Sequence, residues 1–200
     1  MNYEEGGERS TLHGDAESES LMVESTMLQS LRGVRSLNAE SMFEYGSRAG
    51  LWRLMRIFED RRIPISVYAV AMALERNPEA AAAIVEAGHE VVSHGWRWID
   101  YQFVSEETER EHMQRAIESL TKVTGTRPLG WYTGRLSPNT RRLVVEEGGF
   151  VYDADSYADD LPYWTRVGGR SHLVVPYTFD DNDMKFGDPA GGASTTTVRG

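Results

Sequence analysis

The chain has 200 residues, 40% hydrophobic and 26% charged, which is enough apolar material for a real core and argues against wholesale disorder. Its 21 Lys and Arg against 31 Asp and Glu leave a net charge of -10, a poor match to phosphate backbones or anionic lipid. Cysteine is absent, which excludes disulfides, thiolate metal sites and a Cys nucleophile, and no apolar run approaches the ~18 residues of a membrane span.

The opening Met-Asn-Tyr-Glu-Glu lacks the basic start and apolar stretch of a signal peptide. The expectation is a soluble, cytoplasmic protein with a small-molecule partner, no nucleic acid and no membrane; a homo-oligomer is compatible with it. From Met1 to about Glu44 the chain is rich in Ser, Glu and Gly and shows little periodicity. Ser47 to Arg61 predicts a helix with Leu51, Leu54, Met55 and Phe58 on one face. Ile63 to Val70 is a short, β-branched apolar run and predicts a buried strand. Asn77 offers an N-cap, Pro78 a first helical position and Gly88 a left-handed stop, so a helix is expected between them. Strand Glu90–Ser93 follows, then a long helix from Ser105 to about Thr121 with acid in its first turn. A strand near Leu129–Tyr132, a helix from Ser137 to Gly148, and strands Phe150–Asp153 and His172–Pro176 complete the pattern. Alternation of this kind predicts a parallel sheet or barrel with helices outside. The last ten residues, 191–200, are small and polar and are expected to be a disordered tail.

In parallel α/β folds, sites gather where strands end. Ser93-His94-Gly95-Trp96-Arg97-Trp98-Ile99-Asp100-Tyr101 is therefore the first candidate: a His, an Arg, an Asp and two Trp directly after a strand. His13 and His112 lie in polar surroundings and are expected at the surface, while His89 and His172 begin strands and are expected to be structural. Asn2-Tyr3-Glu4-Glu5-Gly6-Gly7-Glu8 pairs two carboxylates before glycines, a base or a metal site if it ends a strand, and a solvated acidic terminus otherwise. Glu44 and Arg48 open a helix as either a cap with an ion pair or a binding edge. Gly130-Trp131-Tyr132-Thr133-Gly134-Arg135 is another strand-to-loop junction. The run from Asp153 to Trp164 carries four Asp and three aromatics, suited to a polar substrate; it lacks EF-hand spacing and its closing Glu.

Taken together, the runs NYEEGGE, ESMFEYGSRAG, AMALERNP, SHGWRWIDYQ, GWYTGRLSPNTRRL and DDLPYW resemble the polysaccharide-deacetylase superfamily, and within it the branch of cofactor-independent allantoinases. The resemblance covers about Asn2 to Phe186. It implies a distorted (β/α) barrel with its site at the strands' C-terminal ends, and a catalytic domain, here residues 1–190, that is incomplete at both ends and loses solubility for that reason. Metal-dependent deacetylases open with Thr-Phe-Asp-Asp-Gly, whose first Asp is the base and whose second binds the metal. Here Tyr3-Glu4-Glu5-Gly6 takes that place. They continue with His-Ser-x-x-His; here His94 stands and Trp98 replaces the second His. Trp131 stands where the deacetylases carry an Arg. One His and a lengthened carboxylate make a poor divalent site, since zinc takes about three protein ligands plus water. Thr178-Phe179-Asp180-Asp181 spells the deacetylase opening, yet it follows the His motif and would require a permuted chain.

The resemblance thus implies hydrolysis of a non-peptide C–N bond: ring opening of allantoin to allantoate, without metal. Glu4 or Glu5 would be the base and His94 the donor to the carbonyl or leaving nitrogen. Arg48, Arg97 or Arg135 would steady the oxyanion, and Trp96, Trp98 and Trp131 would enclose the flat ring. Asp159 and Asp160 would hold the urea N–H groups, with Glu44 and Trp164 at the edge of the site. The rival readings are a metal-dependent (for example zinc) deacetylase of N-acetylated sugars and an inactive, ligand-binding fragment.

Overall fold

The computed structural model describes residues 1–20, 30–178 and 182. The expected tail at 191–200 and most of the Thr178 to Asp183 run lie outside the described residues. The fold is α/β, as expected. Seven strands form one sheet: β1 (Asn2–Tyr3), β2 (Ser66–Ala69), β3 (Glu90–Ser93), β4 (Gly130–Trp131), β5 (Tyr152–Asp153), β6 (Tyr163–Val167) and β7 (Arg170–Val174). Their order is β1-β2-β3-β4-β5-β7-β6. All neighbours are parallel except the β6–β7 hairpin. That hairpin turns on Gly168 and Gly169, both at positive φ (56° and 81°), which suits the tight two-residue turn between paired strands.

The described residues form six α-helices: α1 (Leu37–Tyr45), α2 (Leu51–Arg61), α3 (Ala71–Arg76), α4 (Pro78–Glu86), α5 (Glu106–Thr124) and α6 (Thr140–Glu147). Local chemistry sets their ends. Asn77 accepts the Ala80 N–H at 3.1 Å and places Pro78 in the first turn of α4. Ser105 caps α5 through the Thr108 N–H at 3.1 Å, three glutamates occupy its first turn, and Gly125 closes it at φ 76°. The buried Glu109 accepts hydrogen bonds from the hydroxyls of Ser137 and Thr140 and so pins the start of α6 to α5.

Several expectations change in detail. The α2 face that packs inward is Leu51 and Met55, one turn apart, while Leu54 is exposed. The low-periodicity N-terminal region carries α1, which continues through a π-helical turn at Gly46–Gly50 into α2. Residues 8–20 are held by ion pairs and backbone hydrogen bonds: Arg9 pairs with Glu17 and Glu19, Arg97 with Asp15, and the Glu19 N–H donates to the Arg9 carbonyl.

The sheet register decides which side chains face the helices. Tyr3, Ala69, Ser93, Trp131, Asp153 and Val174 form one continuous row across six strands. All six are at most 2% exposed. Side chains alternate along each strand, so the row one residue further on projects to the opposite face. That next row contains Glu4, His94 and Tyr132.

Candidate active site

Glu4 and His94 meet on that opposite face. His94 Nε2 lies 3.1 Å from Glu4 Oε1, with His94 buried and Glu4 partly exposed. A carboxylate only accepts hydrogen bonds, so Nε2 carries the proton. His94 Nδ1 is buried and unpartnered among the described residues. Gly95, at φ 74°, turns the chain away immediately after the strand, a conformation that disfavours a side chain there. Asn2 Nδ2 also donates to Glu4 Oε1, at 3.2 Å.

Tyrosines line the rest of this face. Tyr132 packs against the His94 ring at 4.9 Å, stacks on Tyr177 at 4.6 Å with planes 5° apart, and meets Tyr68 edge-on at 5.2 Å. Its hydroxyl lies 3.0 Å from that of Tyr157. Burial pushes the Tyr68 phenol up to about 12 and raises Tyr132 and Tyr177 as well, so all three are neutral hydroxyls at pH 7. Beneath them, the Asp155 carboxylate accepts the backbone N–H groups of Thr133 and Gly134 at 2.9 Å each and fixes the turn after Tyr132. Burial pushes Asp155 up to about 6, against the lowering effect of those two N–H donors. Asp153 sits alongside, held by Arg141 at 2.8 Å and His172 at 2.9 Å, so His172 is structural as expected.

The other residues singled out from sequence lie elsewhere. Glu5 shares the parity of Tyr3 and turns to the helix side, against Gly46; a Cβ at Gly46 would sit 2.1 Å from Glu5 Oε1, so any larger residue there would displace the Glu5 side chain. Trp131 lies in the hydrophobic core, edge-on to Phe150 at 5.2 Å, because it belongs to the helix-facing row. Trp96 is buried under the Arg115 guanidinium, 4.4 Å from its ring. Trp98 is buried against Phe43, with Arg135 stacked on it at 3.8 Å. Arg97 is paired through both terminal nitrogens with Asp15, and Arg135 reaches Glu19 at 3.3 Å. Both cations are thereby occupied by the N-terminal loop. Glu44 and Arg48 pair with each other on an exposed helical surface. Asp159 accepts the N–H groups of Asp160 and Leu161 within an exposed loop, and Trp164 is 69% exposed on β6. Among the lining residues, Asn2 and Tyr132 fall within candidate runs of the sequence but without a role assigned there, and Tyr68 and Tyr177 were missed; the parity of β4 would have pointed to Tyr132 over Trp131.

The environment of Glu5 has a measurable consequence. Burial pushes its carboxyl up to about 7, partly countered by backbone N–H donors, with the Glu4 and Glu8 charges adding to the rise. Folded and unfolded chains both hold this proton below the ordinary value of 4.5. Between 4.5 and 7 the folded state retains a proton that the unfolded state releases, so stability falls as pH rises through that window. Glu5→Gln removes the loss. It is expected to stabilise the protein by about 1–2 kcal/mol at pH 8, after allowing for partial exposure, and to match the parent at pH 4. Thermal melts at the two pH values check this.

The donor set of the described residues does not fit a catalytic divalent metal. The described residues contain no group of three or more His, Asp or Glu that could hold one. Four residues beyond His94 stands Trp98, which offers no ligand atom, whereas a catalytic zinc site takes three protein ligands.

Comparisons with known proteins agree with the fold and bear on the site. The polysaccharide deacetylase family profile matches residues 38–150. A crystal structure of a PuuE allantoinase is 58% identical, with a TM-score of 0.92 over 96% of this chain and 64% of that one. A Pseudomonas aeruginosa PAO1 structure, assigned by name to the polysaccharide deacetylases, is 59% identical with the same TM-score of 0.92 and the same coverage, 96% of this chain and 64% of that one. A Schizosaccharomyces pombe protein, likewise assigned by name to the polysaccharide deacetylases, is 41% identical over 93% of this chain and 63% of its own length. The chain thus spans about two thirds of the length of these relatives. Among the described residues no helix is long and apolar enough to cross a membrane. With more than half of its length matched by the family profile and its fold shared with these structures, the chain belongs to the polysaccharide deacetylase family.

Proposed function

We propose that the protein is a cytoplasmic hydrolase that opens the ring of allantoin, or a close ureide, to the linear acid without a metal. The carrying observation is the Glu4–His94 pair at 3.1 Å, on a strand-end face whose second deacetylase His position is Trp98. The 58% identical PuuE allantoinase supports the choice of substrate.

Glu4 acts as the base. It takes a proton from water as the water oxygen bonds to the ring carbonyl carbon, and the carbonyl becomes an oxyanion. The C–N bond then breaks, and Glu4 returns the same proton to the leaving nitrogen, which balances the reaction. His94 holds Glu4 through Nε2 and does not face the carbonyl through that atom. The neutral hydroxyl of Tyr132 is a donor suited to the oxyanion or the ureido arm, while that of Tyr177 is directed at Asn2; the two stacked rings suit a flat, uncharged substrate.

The test is direct assay of the full-length protein with allantoin and with N-acetylated chitooligosaccharide, each with and without chelator. Allantoate release unaffected by chelator supports the proposal; acetate release lost to chelator replaces it with the second reading, a metal-dependent deacetylase. That reading draws on the names of the relatives in fission yeast and in Helicobacter pylori, the latter a peptidoglycan deacetylase 27% identical over 142 residues.

A further inference from the structure

Glu4 Oε1 accepts two hydrogen bonds, from His94 Nε2 and from Asn2 Nδ2. Glu4 Oε2 has no partner among the described residues. Asn2 can be oriented in one way only, because its oxygen against a carboxylate would repel, so its NH₂ faces Glu4. The amide oxygen then receives the Tyr177 hydroxyl at 3.4 Å. Tyr177 stacks on Tyr132, and Tyr132 lies against His94. The contacts close a ring from Glu4 through Asn2, Tyr177, Tyr132 and His94 back to Glu4. Both neighbours of Asn2 hold its amide in place, and two donors on a single oxygen hold the carboxylate against rotation.

We propose that Asn2 is a positioning residue that locks Glu4 through Oε1 and leaves Oε2 as the atom that takes the proton; the proposal rests on Glu4 being the base of the reaction proposed above. Asn2 touches Glu4 and Tyr177 and need not touch the substrate. Its contribution lies in the alignment of Oε2, which is realised in turnover more than in binding.

The test uses Asn2→Asp and Asn2→Ala in the full-length protein. Asp keeps the shape of Asn but sets a second carboxylate against Glu4, which repels it. Asn2→Asp is expected to lower kcat by about 10²-fold and Asn2→Ala by about 10-fold, with KM within roughly threefold of the parent in both. The ¹⁵N–¹H signal of His94 Nε2, which shares Oε1 with Asn2, is expected to move in both variants. A purely space-filling role predicts an unchanged kcat and an unchanged His94 signal in the isosteric Asn2→Asp. Either of those results overturns the proposal. If the parent does not turn over allantoin at all, the functional reading fails by itself, and the His94 signal still decides whether Asn2 holds Glu4.

Discussion

Glu4→Gln is expected to lower kcat/KM for allantoin by about 10²–10⁴-fold, with KM and melting temperature close to those of the parent. Gln has the shape of Glu, and its amide oxygen can still accept from His94 and Asn2, so the fold and the ring of contacts around it survive. Proton-accepting capacity is what disappears. The matching change one residue along separates the two candidate bases. Glu5 faces Gly46 on the helix side of β1, so Glu5→Gln is expected to retain most turnover while altering the pH dependence of stability. Steady-state kinetics of the two variants side by side decide the matter. Full activity in Glu4→Gln, or a collapse confined to Glu5→Gln, would show that the base sits on the other face of the strand.

Trp131→Ala is expected to cost about 3–5 kcal/mol of stability, the usual range for removing a buried aromatic from a core. Trp131 is 2% exposed and packs on Phe150 at 5.2 Å, within the same cluster as Leu143 and Val144. The surroundings are buried side chains of the packed core, so the cavity cannot collapse cheaply. Urea unfolding of Trp131→Ala against Trp131→Phe measures the effect; the Phe variant keeps part of the volume and is expected to lose less. If Trp131 instead enclosed the substrate, the Ala variant would keep its stability and show a raised KM.

The contrast between Trp131 and Tyr132 shows what was legible in the sequence. The order of strands and helices was readable because turn and cap residues punctuate it: Asn77-Pro78, Gly88, Ser105 and Gly148 all stand where helices begin or end. The facing of individual residues was not. β1, β4 and β5 are each two residues long, too short for alternation to appear as a pattern. Which of Trp131 and Tyr132 faces the site depends on register with β3 and β5, a long-range property. The same limit applies to Glu4 and Glu5, adjacent in sequence and opposed in space.

The arginines and tryptophans illustrate a second limit. Arg97 and Trp98 sit in the loop after β3 and Arg135 in the loop after β4, where catalytic residues concentrate, and their types suit an aromatic, cationic site. Their partners are Phe43 from α1 and Asp15 and Glu19 from the N-terminal loop. That loop has no periodicity, so nothing local announces that it folds across the site loop and occupies its charges. The β6–β7 hairpin was readable in principle, since Gly168-Gly169 between β-branched and aromatic residues is a turn signal.

A single assay bears most directly on the central claim that this site hydrolyses a cyclic amide with side chains alone. The full-length protein, treated with a strong chelator and checked by metal analysis, is given allantoin. Allantoate formation at the untreated rate, abolished by Glu4→Gln, is the predicted result. Turnover that stops with chelator and returns with added zinc would contradict it.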